Sequence, residues 1–298
     1  MRAFDVVTAR DAQHAVALLA DHAAAGKVKV MAGGTDLMAD LKFAPASHAP
    51  QVIVDISRAE DLRSIAMTDA GLSIGTLVTH TEIMRSPVIR DLFPALVAAA
   101  HSIGAGQTRN LGTLGGNLVT AVPSVDSGPT LVALDARVTL LGPAGRRQLA
   151  LADFFVGPRK TALKPDELLV EIVIPKENLG KPTHFLKFGL RKGQALALVN
   201  VAASFWTDAA KNAFVAPRVA LGAVAPTIIH ATAAESYLEG RAMTPDAMAE
   251  AGRLAAADAK PISDMRASAD YRRHLVAVLT RRALEGAYEL SKKKRAEK

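Results

Sequence analysis

Two adjacent glycines lie at the centre of the stretch Arg109-Asn110-Leu111-Gly112-Thr113-Leu114-Gly115-Gly116-Asn117-Leu118, and this stretch decides the fold. Because glycine has no side chain, a ligand can approach the backbone and its N–H groups closely at such a place. The hydroxyl group of Thr113 and the amide group of Asn117 add polar groups that suit phosphate and ribose oxygens. The stretch is therefore a candidate loop for an anionic ligand.

A second glycine pair lies upstream, in the stretch Ala32-Gly33-Gly34-Thr35-Asp36-Leu37. Residues 27–31 alternate polar and apolar side chains, which predicts a short strand that runs directly into these glycines. Two such loops can clasp one diphosphate, and Thr35 adds a further hydroxyl donor. Either glycine pair alone is more often a simple turn.

Neither pair has the spacing of the usual nucleotide-binding motifs. The chain contains no GxxxxGK[ST] sequence. The pair Gly104-x-Gly106 follows a predicted helix instead of a strand, and Arg109 stands where a third glycine belongs. A Rossmann site is therefore not expected.

Composition narrows the class of protein. The chain has 298 residues, 50% of them hydrophobic and 22% charged, which is typical of a globular protein long enough for two domains. It has no cysteine, which excludes disulfides, thiolate-bound clusters and thiol nucleophiles, and its histidines show no close metal-ligand spacing. No apolar stretch approaches the roughly 20 residues of a membrane helix, and residues 1–10 lack a secretion signal. These features predict a cytoplasmic protein without a membrane span.

The net charge of +7 comes mostly from the basic tail, residues 291–298, which holds five basic residues and one acidic residue. Such a charge run is usually solvated, and aromatic residues make up only 4% of the chain, so no stacking surface accompanies it. Nucleic-acid binding is not expected. A basic binding or scaffold protein remains the non-enzymatic alternative.

Cap and turn signals predict several elements. Thr8-x-x-Asp11 and Thr79-x-x-Glu82 predict capping boxes, the first for a helix that ends at Gly26. Residues 69–71 and 142–145 predict hairpin turns, and residues 87–100 predict helical structure.

After residue 176, strand patterns at 184–190, 197–206 and 218–224 come first, and only helical patterns follow them. This order predicts a separate α+β module with a boundary at 176–182. The last helix has a predicted apolar face made of Tyr271, Leu275, Val278, Leu279, Ala283 and Ala287.

Together, the two glycine segments resemble the flavin loops of the FAD-binding medium subunits of molybdenum hydroxylases. This family includes the flavin domains of xanthine dehydrogenase and the flavoprotein of aerobic carbon monoxide dehydrogenase. Further matches are Ala121-x-Pro123-x-x-Asp126-x-x-Pro129, Phe154-Phe155-x-Gly157-Pro158-Arg159-Lys160-Thr161 and Asp166-Glu167-Leu168-Leu169. The resemblance covers nearly the whole chain.

The resemblance implies an α+β fold. Residues 1–176 would form a PCMH-type FAD-binding domain of two α/β subdomains, at about 1–57 and 58–176. Residues 177–290 would form a C-terminal domain with a small antiparallel sheet and helices, followed by the basic tail. The implied cofactor is FAD, lying between the two subdomains.

The resemblance also implies a set of FAD-binding residues, with no catalytic residue and no metal ligand in this chain. The pyrophosphate loop would be residues 30–37, the second loop 113–117, and Asp126 would lie on the ribose or adenine side. Taken without the family, Asp126 could equally be a turn residue, Leu169 strand core and Lys187 a solvated lysine. Ile103 departs from the xanthine-type pattern, which has an aromatic residue near the flavin ring at that place. The complete set is Val30, Met31, Ala32, Gly33, Gly34, Thr35, Asp36, Leu37, Ile103, Thr113, Leu114, Gly115, Gly116, Asn117, Asp126, Leu169 and Lys187.

In the resembling enzymes, a large subunit carries the molybdenum cofactor and a small subunit carries two iron–sulfur clusters. The resemblance implies that the FAD of this chain passes electrons from those clusters to NAD or another acceptor, in a dimer of heterotrimers. The absence of cysteine agrees with that division. A self-contained FAD oxidase or dehydrogenase of related fold is the alternative, although the motif segments contain no acid–base constellation.

The same reasoning predicts the effect of enlarging the glycines. A β-branched residue at Gly34 or Gly115 is expected to block backbone approach to the cofactor and to leave the chain folded.

Overall fold

The computed structural model describes residues 3–23, 27–43 and 49–296. The predicted helix stop at Gly26 lies outside these residues. A three-stranded parallel sheet with the order β1-β3-β2 forms the amino-terminal part. Its elements are β1 (Asp5–Thr8), α1 (Ala12–Ala23), β2 (Val28–Met31), α2 (Leu37–Phe43) and β3 (Val52–Asp55).

The start of α1 differs from the predicted capping box. Thr8 is the last residue of β1 and pairs with Asp55 of β3, so it does not lie at a helix start. Asp11 caps α1 instead, because its carboxylate accepts a hydrogen bond of 2.7 Å from the backbone N–H of His14. The predicted strand before the first glycine segment is confirmed as β2.

A five-stranded antiparallel sheet follows, with the order β4-β5-β10-β6-β7, and β8 and β9 form a separate two-stranded sheet. Short 3-10 helices at Glu60–Leu62 and Lys176–Asn178 flank this part. The strands are β4 (Ile65–Thr68), β5 (Gly71–Gly75), β6 (Arg137–Gly142), β7 (Gly145–Ala150), β8 (Phe155–Gly157), β9 (Lys160–Thr161) and β10 (Leu168–Pro175). The helices are α3 (His80–Arg85), α4 (Pro87–Leu92), α5 (Pro94–His101), α6 (Gly106–Leu111), α7 (Leu114–Thr120), α8 (Ser127–Ala133) and α9 (Leu151–Phe154).

Both predicted hairpins are confirmed, β4–β5 around residues 69–71 and β6–β7 around residues 142–145. The second capping box is also confirmed, since the Thr79 side chain accepts from the backbone of Glu82 and the Glu82 side chain accepts from the backbone of Thr79. The helical stretch at 87–100 is divided in two, because Pro94 has no N–H to continue α4 and begins α5 instead.

The carboxyl-terminal part is a four-stranded antiparallel sheet with the order β11-β12-β13-β14 and three helices. The elements are β11 (Thr183–Phe188), β12 (Val199–Asp208), β13 (Ala213–Gly222), β14 (Ile229–His230), α10 (Thr232–Leu238), α11 (Pro245–Asp258) and α12 (Ala269–Ala296). The sequence predicts three of the strands and misses the two-residue β14. Tyr271, predicted on the apolar face of α12, is 45% exposed, although its ring makes an edge-to-face contact with that of Phe188.

The side chains of β12 point alternately to its two faces, and the strand thereby joins the two larger parts of the fold. Val201, Ala203 and Phe205 belong to the apolar core under the carboxyl-terminal helices. On the opposite face, Asn200 and Ser204 donate hydrogen bonds to backbone carbonyls at the two ends of α8. The sheet is therefore covered on both faces, and one face packs against the part that carries the second glycine segment. In the described part of the chain, no helix is long and apolar enough to cross a membrane.

Candidate functional site

The first glycine segment follows β2 at the edge of the parallel sheet. Gly34 has a φ of +71°, a left-handed conformation that glycine adopts without a steric penalty. Among the described residues, no acceptor takes a hydrogen bond from the backbone N–H groups of residues 33–36. A run of consecutive free N–H groups is a typical binding site for phosphate oxygens.

The second glycine segment is tied to the connection between β5 and α3. The N–H groups of Leu114 and Gly115 donate to the carbonyls of Val78 and Thr76 at 2.8 and 3.0 Å, and that of Gly116 donates to the Thr113 hydroxyl at 3.0 Å. These N–H groups are engaged within the chain, so the segment offers side-chain donors and space instead of free backbone donors. This differs from the expectation that both segments supply backbone N–H groups.

The two segments touch each other at Gly33. A Cβ atom at this position would lie 1.8 Å from the carbonyl oxygen of Leu111 and 3.1 Å from the backbone nitrogen of Gly112. Real Cβ contacts essentially never fall below 3.0 Å, so only glycine lets the segments approach this closely. This close approach is a physical cause for the sequence prediction that the two segments act together.

A cleft of about 830 Å³ opens between the two segments. This volume lies within the range of roughly 300–1,000 Å³ that is typical of cofactor and ligand sites. The predicted residues that line the cleft are Val30, Ala32, Gly33, Gly34, Thr35, Asp36, Leu37, Ile103, Thr113, Gly115, Gly116, Asn117 and Leu169. Met31, Leu114, Asp126 and Lys187 are not among the lining residues. Leu114 instead belongs to the apolar core and is fully buried.

Asn117 has a fixed orientation in the wall of this cleft. The buried hydroxyl group of Ser127, at the start of α8, donates a hydrogen bond of 2.6 Å to Oδ1 of Asn117. The amide NH₂ of Asn117 has no acceptor within the described chain. It is therefore available to donate to a ligand in the cleft.

Asp126 and Lys187 form a buried ion pair with each other, with a distance of 2.5 Å between Oδ2 and Nζ. Asn200 donates to the other carboxylate oxygen at 3.1 Å, and Lys187 also donates to the carbonyl of Ser102 at 3.0 Å. Burial raises the pKa of Asp126, while Lys187 and Asn200 oppose that rise. Lys187 is therefore not the solvated strand lysine of the alternative interpretation. The pair ties the carboxyl-terminal sheet to the segment that carries Ile103.

Acidic and basic side chains share the cleft. Burial raises the pKa of Asp36, Arg159 opposes the rise, and Asp40 adds to it. Arg159 approaches Asp40 at 3.5 Å. Glu167 is held by Arg147 through paired hydrogen bonds of 2.8 and 2.7 Å, and those bonds lower its pKa. In the described part of the chain, no three His, Asp or Glu side chains are grouped so as to hold a metal ion.

His80 is a cleft residue to which the sequence assigns no role. It is 1% exposed and lines the cleft beside the second glycine segment. Burial, with a smaller contribution from the charge of Arg109, lowers the pKa of His80 to about 4. The imidazole is therefore neutral at pH 7. Nothing in the local sequence distinguishes this histidine, because the Gly112 segment that it contacts lies more than thirty residues away in the chain.

The low pKa of His80 predicts a pH-dependent stability of the cofactor-free protein. An unfolded chain protonates His80 near pH 6.5, whereas the folded chain resists protonation until about pH 4. The neutral form therefore stabilises the fold above pH 6.5, and this contribution is lost as the pH falls towards 4. At about 1.4 kcal/mol per pKa unit, the expected loss in the free energy of unfolding is about 3 kcal/mol.

Urea unfolding at pH 7.5 and 4.5 measures this loss. The loss should be smaller by this amount in His80→Phe, and equal losses in both proteins would contradict the prediction.

The structure changes the expected outcome at Gly115. A Cβ atom there would lie 1.6 Å from the Thr76 hydroxyl oxygen and 2.8 Å from the Thr76 carbonyl oxygen, so the buried contact with the β5–α3 connection would have to open. A β-branched residue at Gly115 is therefore expected to disturb the packing against this connection as well as the binding of the cofactor. At Gly34 the nearest atoms, of Met31 and Met38, lie at 3.5 Å or more, so the strain there comes from the backbone conformation alone.

Comparison with known proteins gives the same assignment over both parts of the chain. The family model for the FAD binding domain in molybdopterin dehydrogenase matches residues 2–177. The model for the CO dehydrogenase flavoprotein C-terminal domain matches residues 184–287.

Curated relatives and solved structures agree with these models. The xanthine dehydrogenase FAD-binding subunit of Escherichia coli O157:H7 is 32% identical over 277 residues, covering 92% of each chain. The carbon monoxide dehydrogenase medium chain of Hydrogenophaga pseudoflava is 31% identical and covers 96% of this chain and 97% of its own. A structure of carbon monoxide dehydrogenase from that organism, 31% identical, superposes with a TM-score of 0.91 over 97% of this chain and 98% of that one. Quinoline 2-oxidoreductase from Pseudomonas putida 86, 29% identical, gives a TM-score of 0.89 over 97% and 99%.

A fold shared along almost its whole length with these subunits, together with the cleft between two glycine segments, defines a flavin-binding oxidoreductase subunit. The chain belongs to the family of FAD-binding subunits of molybdopterin dehydrogenases. The sequence predictions of the family, the α+β fold and FAD as cofactor are confirmed.

Proposed function

We propose that the chain is the electron-transfer subunit of a molybdenum hydroxylase. It holds FAD so that electrons pass from the iron–sulfur clusters of a partner subunit to NAD or another acceptor. One observation carries this proposal: the cleft formed where the two glycine segments meet at Gly33. Bound FAD supplies the redox chemistry, and the protein supplies binding, orientation and exclusion of water.

The proposed FAD contacts follow from the lining of the cleft. The free N–H groups of residues 33–36 suit the pyrophosphate oxygens, and the oriented amide of Asn117 suits a phosphate or hydroxyl oxygen. Ile103 and Leu169 offer apolar contact to the ring systems. Asp126 and Lys187, predicted as contacts, lie paired with each other outside the lining. Their assignment to the FAD site stays a prediction. Their proposed role is to position the neighbouring part of the cleft, through the hydrogen bond of Lys187 to Ser102.

The proposed domain division places the FAD-binding domain at 1–176, with subdomains at about 1–57 and 58–176, and the carboxyl-terminal domain at 177–290. The arrangement of the sheets supports it, since the parallel sheet, the five-stranded sheet and the four-stranded sheet follow one another along the chain. The family models, which leave 178–183 unmatched, are compatible with it.

The proposed partners are an iron–sulfur small subunit and a large subunit with the molybdenum cofactor, assembled as a dimer of heterotrimers. Two features support this proposal. The relatives are named as FAD-binding subunits or medium chains. The chain also has no cysteine with which to bind an iron–sulfur cluster itself. The cytoplasmic location stays a prediction of the sequence.

Co-expression with the neighbouring genes tests the assembly and the electron path. We expect a three-subunit complex that contains flavin, iron and molybdenum. On rapid mixing with the chemically reduced iron–sulfur subunit, the flavin absorbance band of this chain should bleach, and the cofactor-free chain serves as the control. A flavin-loaded chain that turns over an organic substrate alone would instead favour the self-contained oxidase. If the chain binds no flavin, the basic binding or scaffold protein is the interpretation that remains.

A further inference from the structure

His80 occupies a defined place between the two glycine segments. Thr79 caps α3, and His80 is the first residue of that helix, with its backbone N–H donating to the Gly112 carbonyl at 3.1 Å. A Cβ atom on Gly112 would lie 3.4 Å from Cδ2 of His80 and 3.5 Å from the Thr35 hydroxyl oxygen. The imidazole therefore lies where Thr35 of the first segment and Gly112 of the second come together.

The imidazole of His80 has no hydrogen-bond partner in the described chain. Its Nδ1 atom is sealed from solvent without a partner, and Nε2, which is not sealed, also makes no hydrogen bond to any residue that the structure describes. Buried side-chain polar atoms in folded proteins nearly always have a partner. A ring left unpaired in the wall of a cofactor cleft is therefore a candidate for pairing with the cofactor.

The chemistry of the ring indicates what that partner is. Burial keeps the imidazole neutral, with a pKa of about 4, so it has one N–H donor and one acceptor nitrogen. A buried donor left without an acceptor is costly, so we place the proton on Nε2, which is not sealed, and take the sealed Nδ1 as the acceptor nitrogen. A donor at Nε2, which is open to the cleft side, can pair with an acceptor oxygen of a bound ligand, and the phosphate and ribityl groups of FAD supply such oxygens.

We propose that His80 is an FAD-binding residue that donates a hydrogen bond from Nε2 to a phosphate or ribityl oxygen of the cofactor. This inference rests on the proposed placement of FAD in the cleft. It adds a contact that lies outside both glycine segments. It also gives the start of α3 a role in binding, next to the connection that supports Gly115.

Two other histidines, His230 and His184, can be compared with His80. The partly buried His230 pairs through Nδ1 with Glu235 at 2.7 Å, as a structural histidine usually does. His184 shares the unpaired Nδ1 atom and a pKa lowered by burial, but its ring packs on Gly286 and it does not line the cleft. His184 is thus a matched control for an unpaired imidazole away from the cofactor.

The test compares His80→Phe, His80→Gln and His184→Phe with the wild-type chain. Dissociation constants for FAD are measured by quenching of flavin fluorescence, and melting temperatures are measured with and without FAD. His80→Phe keeps the ring shape without a donor, so FAD should bind about tenfold more weakly, equivalent to about 1.4 kcal/mol. The side-chain amide of His80→Gln restores a donor and most of the affinity. His184→Phe binds FAD as the wild type does, and the cofactor-free His80→Phe melts no lower than the wild type.

Two results would overturn the inference: unchanged FAD affinity in His80→Phe, or an equal loss of affinity in His184→Phe. If His80→Phe does not fold, nitrogen-15 NMR of the wild type decides, because Nε2 should carry the proton and shift on addition of FAD. An unshifted Nε2 signal overturns it. Failure of the wild-type chain to bind FAD would instead contradict the proposed function, so the two failures are distinguishable.

Discussion

Replacing Gly33 with alanine should remove FAD from the purified protein. The added Cβ atom would lie 1.8 Å from the Leu111 carbonyl oxygen, so the two glycine segments would have to separate by about 1 Å. Overpacking of this kind costs about 1–3 kcal/mol, and each 1.4 kcal/mol is tenfold in affinity. We expect FAD binding to weaken by about 10- to 100-fold. The ratio of flavin to protein absorbance after desalting measures the loss.

Gly106→Ala is the matched control for this prediction. Gly106 begins α6 within the same part of the chain, and a Cβ atom there would meet nothing within 4 Å. The control should keep its flavin and gain slightly in helix stability. Full flavin content in Gly33→Ala would mean that the close contact between the segments is not needed for binding.

Lys187→Met should be among the most destabilising substitutions in the chain. It leaves the carboxylate of Asp126 buried with Asn200 as its one remaining side-chain partner among the described residues. Removing one partner of a buried ion pair costs about 3–5 kcal/mol. Urea unfolding followed by fluorescence measures this cost, because Trp206, the single tryptophan of the chain, lies in β12 of the same sheet.

Lys192→Met provides the control, since Lys192 lies in the exposed segment between β11 and β12. Its effect should stay within about 0.5 kcal/mol. The cost of Lys187→Met should also shrink at lower pH, because Asp126, already raised in pKa by burial, then folds in its neutral form. Equal stability of Lys187→Met and the control would show that the ion pair contributes little.

Local signals predict much of this fold. The hairpins at 69–71 and 142–145 follow from their turn residues, and the helix start at Thr79 follows from its capping box. These features depend on residues a few positions apart. The capping role predicted for Thr8 at the start of α1 was wrong, because Thr8 pairs in the sheet with a strand more than forty residues away.

The site shows the same division between local and distant causes. The glycine segments can be found in the sequence, but the contacts that require glycine at each position cannot. Gly33 is needed because of Leu111, and Gly115 because of Thr76, contacts that join residues far apart in the chain. Asp126 and Lys187 were predicted as separate cofactor contacts, and only the folded chain brings them together as an ion pair.

Hydrogen–deuterium exchange with and without FAD tests the central claim most directly, because it locates the cofactor on the chain. FAD should protect residues 30–37 and 112–117 together, since both segments border one cleft. In Gly33→Ala, FAD should protect neither segment: the amides of residues 33–36, which have no acceptor in the described chain, should exchange as they do without cofactor, and those of residues 112–117 should keep only the protection of their own hydrogen bonds. Protection that is confined to one segment, or that falls elsewhere on the chain, would contradict a cofactor held where the two glycine segments meet.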